Sequence, residues 1–580
     1  MKKIFLLILA VVLIVGCKQS FLDTTDLLEK TNNDFYKTPT DIDQALTATY
    51  VQMVAAPSGS VLNCYPFVIC ELMSDDRFGG GGDNDQDPRA ICDFKITGQD
   101  MYWGAWSRYY TGIFRANMVL QNIDKPTWDS DAQKGNAQAQ ALFLRAMFYF
   151  DLSRMFGDVP LITEAKPMNI PRTPAEQTYA QIASDLKQAI ELFPSTPYSS
   201  ASYSEMGRAN KWNAEALMAR VFLFYTGYYE TATLPLVGGG SIAKADVITW
   251  LEDCRDNSGY MLMPNFRRLW PYSICQAPAS DSTYKYLTVH PTQPWYGETG
   301  ANAETMYALK FSTYASWGTS IYYSNQMDLF YGWRRYNYSS FMGDGWGMGT
   351  VNKQLWDAWP DGDLRKRASI TYVNDPDEGV STTYALGTDV HDKQMDETGY
   401  WQKKYRPINV YKKAANDWHN YSVDAYGLTA KNFQLDNMQD IVLIRYADVL
   451  LMHSELTQTT AGINKVRERA GLADTASYTF ADLQSERRFE LAFEGQRYYD
   501  LLRWTGKSHL ADLETLLNSQ NGTPTFNNGV WGVKKGVEFR AITGGFLQIP
   551  NKEIALSQGV LVQTPGWETG TAPVYSLSFK

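Results

Sequence analysis

No block of five or more basic residues occurs in this chain, and its formal net charge is −10. Nucleic acids and anionic lipid surfaces are recognised by clustered positive charge, so neither is an expected partner. Cysteine is scarce, with six in 580 residues and no Cys-x-x-Cys pair, which excludes a zinc ribbon and a thioredoxin-type dithiol. The five histidines, His290, His391, His419, His453 and His509, show neither an HExxH motif nor i, i+4 spacing. A GxSxG elbow, a Walker loop and a GxGxxG turn are also absent. These absences remove the usual marks of metallohydrolases, serine hydrolases, nucleotide hydrolases and dinucleotide enzymes. The chain is not expected to be an enzyme, and no cofactor is expected apart from the calcium reading below.

Long apolar runs are lacking too, with one short exception. Met1-Lys2-Lys3 is followed by apolar residues from Ile4 to Val15, then by Gly16-Cys17. A basic start, a short apolar run and a small-residue boundary make a secretory leader, 1–16. The run is too short to span a bilayer, which takes roughly 20 residues. Ile14-Val15-Gly16-Cys17 resembles a lipobox, so Cys17 is expected to become the acylated first residue and to anchor the protein in membrane lipid. Five cysteines then remain: Cys64, Cys70, Cys92, Cys254 and Cys275. Disulfides are permitted outside the inner membrane, but an odd count leaves one unpaired and the pairing is not readable.

What is abundant is helical periodicity. Within 138–156, Ala141, Leu144, Phe148, Leu152 and Met155 share one helix face, while Phe143, Met147 and Phe150 form a second. A helix apolar on two faces packs between neighbours. Residues 208–229 read alike. Thr173-Pro174-Ala175-Glu176 predicts a helix start with Thr173 as N-cap and Pro174 at N1. Further helices are expected at 39–54, 102–123, 445–458, 460–470 and 481–504. The length fits several domains or one extended helical solenoid. The helices predict stacked hairpins of the tetratricopeptide type without a strict 34-residue period.

Residues 258–440 differ, being rich in Gly, Pro, Asn, Asp, Trp and Tyr with short strand-like runs such as 305–310. Residues 267–346 hold 16 of the 54 Trp plus Tyr, beside turn formers rather than among aliphatics. An aromatic plate covers the apolar face of a sugar while polar groups bond its hydroxyls. Candidate platforms are Trp317, Trp333, Tyr322, Tyr323 and Trp295, with Trp346 and Tyr296 behind them. The loop after Gly79–Gly82 adds Asp83, Asn84, Asp85 and Arg89 as polar contacts. Its alternating acids admit three readings: a solvated loop, a structural calcium site, or a sugar contact. It is not an EF-hand, because Pro88 and Phe94 stand where Gly and Glu are required. Two other acidic groups have plainer readings. Glu486, Glu490 and Glu494, at i, i+4, i+8 with Arg487, Arg488 and Arg497, predict a salt-bridged helix face. Asp357, Asp361 and Asp363 predict a turn.

The C-terminal block carries a resemblance. The segments 445–455, 463–472 and 486–501, with Ile549-Pro550, Glu553-Ile554 and Gln563-Thr564-Pro565-Gly566-Trp567, resemble the SusD/RagB family of outer-membrane lipoproteins. Thr564 and Trp567 depart from the family's closing pattern. Cys17, Phe21-Leu22-Asp23 and Asn117 after Trp103 and Tyr109 also match. The resemblance spans nearly the whole mature chain and is weakest over 258–440. It implies a mainly α, SusD-like fold: a tetratricopeptide-like hairpin scaffold under a long, irregular, loop-rich binding region. The expected organisation is a helical region 17–257, a ligand-binding region 258–440 and a helical block with closing segment 441–580. It further implies a protein on the cell exterior that covers a SusC-like TonB-dependent transporter and delivers oligosaccharides to it, or peptides in the RagB branch. A surface glycan hydrolase is the remote alternative. The family has no shared ligand motif, so the site candidates rest on composition and position.

Overall fold

The computed structural model describes residues 35–54, 65–199, 207–274, 302–312, 315–316, 323–334, 344–375, 394–412, 417–420, 434–435 and 437–576. Helices begin where the chain supplies a cap. Thr38 accepts from Asp41 N while its own N–H donates to the Asp41 carboxylate, a reciprocal box that opens α1, Pro39–Tyr50. Two short helices follow, α2, Pro66–Leu72, and α3, Gln86–Cys92. The scaffold proper is α4, Trp103–Asn122; α5, Asp131–Phe156, capped by Ser130; α6, Ala175–Leu192; α7, Lys211–Tyr228, capped by Asn210; and α8, Lys244–Asn257. Each of α4 to α8 packs on the next.

α5 is the hub. From Ala139 to Phe156 every residue is buried, as two apolar faces require. Gly112 lets α4 approach it closely, since a Cβ there would lie 2.5 Å from the Phe148 ring. Arg145 of α5 donates to Asp185 of α6 at 2.7 and 2.8 Å and to Asn117 Oδ1 of α4 at 2.9 Å. The family-type Asn117 is therefore a helix-to-helix tie. At α6 the expected cap is corrected. The Ala175 N–H is taken by Asp158 at 2.9 Å, while Thr173 Oγ1 accepts from Leu161 N at 3.1 Å. A bridge between Val159 and Thr173 holds Thr173 extended and aims its hydroxyl away from the helix.

The irregular region is stitched from small pieces. Ahead of it, between α7 and α8, β1, Leu234–Pro235, pairs with β2, Ser241–Ile242. β3, Thr305–Leu309, confirms the strand-like run at 305–310. Then come α9, Gln326–Tyr331; β4, Trp333–Arg334; β5, Asp344–Gly345; α10, Lys353–Ala358; α11, Leu364–Ser369; and β6, Ile370–Tyr372. β7, Tyr400–Gln402, pairs with β6; β8, Asn409–Lys412, pairs with β9, Asp417–Asn420. β10, Ile441–Arg445, pairs antiparallel with β3 and leads into the C-terminal helices. Asp363 caps α11 by accepting from Arg365 N at 2.8 Å, in keeping with its turn reading.

The C-terminal block holds α12, Tyr446–Thr457; α13, Ala461–Arg469; α14, Phe480–Glu490; α15, Arg497–Thr505; and α16, Leu510–Asn518. A hairpin of β11, Pro524–Asn527, and β12, Val530–Val533, and the last helix α17, Asn551–Leu556, complete it. The single helix expected over 481–504 is two. Phe493 and Gly495 take positive φ, 66° and 70°, and the Gly495 N–H donates to Glu71 at 2.7 Å. Glu494 thus leaves the helix face shared by Glu486 and Glu490. The acids are buried rather than surface-facing. Arg445 bonds Glu304, Glu490 and Glu494 at 2.5, 2.8 and 2.7 Å, and Arg365 bonds Glu486 at 2.5 Å. The closing motif is equally structural: Glu553 accepts from Trp103 Nε1 at 2.8 Å, and Gln563 exchanges two bonds with the Ile549 backbone.

Among the described residues no helix is long and apolar enough to cross a membrane. Cys70, Cys92 and Cys254 are buried free thiols. Cys17, Cys64 and Cys275 lie outside the described residues.

Candidate functional site

The Gly-rich acidic loop after α2 has a shape only glycine allows. Gly80 and Gly81 take φ of 64° and 78°, and a Cβ on Gly79 would sit 2.4 Å from the Arg89 backbone. Arg89 of α3 holds the loop. It donates to the carbonyls of Gly80, Gly82 and Asp83 at 2.9, 2.6 and 2.9 Å and to the Tyr575 hydroxyl at 2.8 Å. At 1% exposure it is a staple under the loop. Asp85 closes the turn by accepting from Gly82 N at 2.7 Å and pairs with Arg334 of β4 at 3.0 Å. With its carboxylate so engaged, Asp85 acts as a turn brace. Among the described residues no group of three acidic, His or Cys ligands converges on a metal position. Asp83 is half-buried and Asn84 is exposed.

Two further segments lie beside this loop. Met395 N donates to Gly81 O at 2.9 Å, and Gln394 Nε2 to Gly347 O at 2.7 Å. Asn528 N donates to Gln394 O at 2.8 Å, bringing in the β11–β12 hairpin. Asn528 and Gly529 both take positive φ, 46° and 87°, as a tight two-residue hairpin turn requires. The turn sets Phe526 opposite Trp531. Phe526 is fully buried, while Trp531 meets it edge-on at 5.5 Å and remains 52% exposed.

The hairpin, α3 with the residues after it, Met395-Asp396 and the closing segment wall a cavity of about 600 Å³, lined among others by Arg89, Lys95, Asp396, Trp531, Lys535 and Tyr575. Its far wall is fixed by Ile96, whose N–H donates to Pro573 O and whose carbonyl accepts from Tyr575 N. Lys534 sits between Asp93 and Asp396 at 2.7 and 3.0 Å. Burial opposes the charge of Lys534, but Asp396 and Asp93 outweigh it and raise its pKa. Burial raises the Asp93 carboxyl to about 6.

The sequence candidates separate on this frame. Trp333 is 1% exposed, near Trp401 at 6.2 Å with the Arg406 guanidinium 4.8 Å from its ring centroid. It is a core residue, which corrects its reading as a platform: the β4–β5 pairing turns it inward. Trp346 is half-buried against Phe330 at 5.6 Å. Tyr323 is 38% exposed but does not line the cavity, and its carbonyl accepts from Ser312 N. Trp295, Tyr296, Trp317 and Tyr322 lie outside the described residues. Of the named candidates among the described residues, only Arg89 lines the cavity. Trp531 was missed. The signal that could have found it is Asn528-Gly529 between two short β-prone runs, a hairpin mark that leaves an aromatic at a sheet edge. A second cavity of about 610 Å³ lies beside Trp356, whose ring is engaged by Tyr400 at 5.4 Å and by Lys366 Nζ at 4.5 Å.

Two family models match the chain: one described as starch-binding associating with the outer membrane, over residues 21–223, and one described as the SusD family, over residues 279–567. A SusD-like protein of Bacteroides ovatus is 25% identical over 71% of this chain and 67% of its own length. SusD-like protein P2 of Formosa agariphila is 23% identical over 96% and 97%. Among solved structures, a laminarin-binding SusD-like protein superposes with TM-score 0.67 at 24% identity, over 92% of this chain and all of that one. Surface glycan-binding protein A from Bacteroides thetaiotaomicron, in complex with laminarihexaose, gives 0.66 at 20% identity, over 91% and 99%. Helical hairpins, buried tie residues and closing motif agree with these matches, and the chain belongs to the SusD/RagB family.

Proposed function

We propose that this protein binds glycans at the outer face of the outer membrane, held there by acyl chains on Cys17, and delivers them to a SusC-like TonB-dependent transporter. The observation that carries glycan binding is Trp531. It is a half-exposed indole at the rim of a cavity of about 600 Å³ whose walls carry carboxylates, amides and amines. An apolar plate ringed by hydrogen-bonding groups is what a sugar ring requires. Glycan-binding proteins of the same fold support the reading.

Binding, rather than hydrolysis, is also favoured by the acids themselves. Hydrolysis of a glycosidic bond takes two carboxyl groups available to the substrate. Asp93 and Asp396 are both ion-paired to Lys534. Calorimetric titration against panels of oligosaccharides and peptides tests the proposal. A glycan is expected to bind, and Trp531→Ala to weaken it at least tenfold, about 1.4 kcal/mol, without lowering the melting temperature. Binding of peptides alone, or glycan release with cleavage, would overturn it.

A further inference from the structure

The chain is acidic as a whole, yet the wall of the Trp531 cavity is cationic. Arg89, Lys95, Lys534 and Lys535 face Asp93 and Asp396 there, in a protein of formal net charge −10. Both carboxylates go to one cation, since Asp93 and Asp396 lie 2.7 and 3.0 Å from Lys534 Nζ. Three cations remain. Lys95 reaches Glu538 at 3.5 Å, a half-exposed carboxylate, and shares the field of Asp93 from farther off. Lys535 is exposed. Arg89 is buried, and its hydrogen bonds go to three carbonyls and a phenol, not to a carboxylate.

A buried guanidinium that no carboxylate hydrogen-bonds among the described residues is costly, and its field is little screened. In a concave wall that field concentrates on whatever occupies the cavity. We infer that the cavity takes an acidic glycan, a sugar chain carrying uronate carboxylates or sulfate esters. A sugar ring lies on Trp531, and its anionic group sits between Lys95 and Lys535 with Arg89 behind. A neutral sugar would use the indole but leave this positive field unanswered. The inference rests on the glycan-binding reading above and adds the charge of the ligand to it.

The test uses the full mature protein and paired probes at low and physiological salt: a hexagalacturonate against its carboxyl-reduced neutral counterpart, and a sulfated galactan hexamer against its desulfated form. At least one acidic member is expected to bind tenfold or more tightly than its neutral partner, with the preference shrinking as salt rises. The pair that shows the preference identifies carboxylate or sulfate as the group read. Lys535→Gln and Lys95→Gln should each weaken the acidic probe several-fold, leave the melting temperature unchanged and leave a neutral probe unaffected. Equal or tighter binding of the neutral partners would overturn the acidic assignment and leave the glycan reading intact. Unchanged acidic binding in both lysine variants would also overturn it. Failure of all four glycans, with peptides bound instead, would overturn both.

Discussion

Two tryptophans of the same chemistry are assigned opposite roles by burial alone. Trp333 stands in an aromatic-rich window and sits in the interior; Trp531 stands alone in sequence and projects at a cavity rim. Trp333→Ala should therefore lower stability by about 3–5 kcal/mol in urea unfolding, as loss of a large core ring does. A variant that kept its unfolding midpoint but lost ligand would return Trp333 to the site. The acidic loop was legible because four successive glycines and alternating acids announce a special backbone. The role of Arg89 was not, because it depends on where folding aims the carbonyls of Gly80, Gly82 and Asp83 and on Tyr575, hundreds of residues away. A composition window shows where aromatics concentrate, not which side of a two-residue strand they occupy.

At the scale of elements, most helices were legible, since caps and 3.6-residue periodicity are local properties. α4, α5 and α7 start or end within a few residues of expectation apart from the start of α5, which runs seven residues earlier, from Asp131. The failures came where a distant residue competes for a local group. Asp158 takes the start of α6, and Glu71 takes the Gly495 N–H and divides 481–504. The position before α15 gives a test. Gly495 has φ of 70°, and a Cβ there would lie 2.8 Å from the Phe67 ring. Gly495→Ala should lower stability by about 1–3 kcal/mol through backbone strain and collision. A variant with an unshifted denaturation midpoint would mean that the break between α14 and α15 needs no glycine.

Across the whole molecule, the irregular region is not a detachable insert. β3 pairs with β10, and Glu304 beside β3 joins the buried ionic cluster of Arg445, Arg469 and Glu490. Such a cluster is weak evidence for stability, since desolvation offsets attraction, but removing one partner strands the others. A titratable group near the hairpin gives a global prediction. Burial pushes the Glu397 carboxyl up to about 8 from 4.5. The folded state then holds a proton that the unfolded chain releases above about 4.5. The contribution to stability is complete below that pH and is gone once pH has risen through about 8. It declines between the two by up to about 1.4 kcal/mol per pH unit. Thermal unfolding of wild type and Glu397→Gln from pH 5 to 9 should show the wild type losing stability relative to the variant as pH rises. Parallel curves would mean that Glu397 is ionised in the fold.

The tie between Arg89 and Tyr575 also has a meaning in time. A chain is made from its N-terminus, and its early segments wait for their late partners. The glycine loop precedes residues 573–575 by hundreds of residues, yet the hydroxyl that braces its arginine and the extended segment that helps wall the cavity arrive with them. A nascent chain can therefore assemble its scaffold helices before this wall of the cavity is in place. On the proposed reading, capture waits for this late segment, and Tyr575→Phe, which removes the bracing hydroxyl, should weaken glycan binding in calorimetric titration while leaving the melting temperature nearly unchanged.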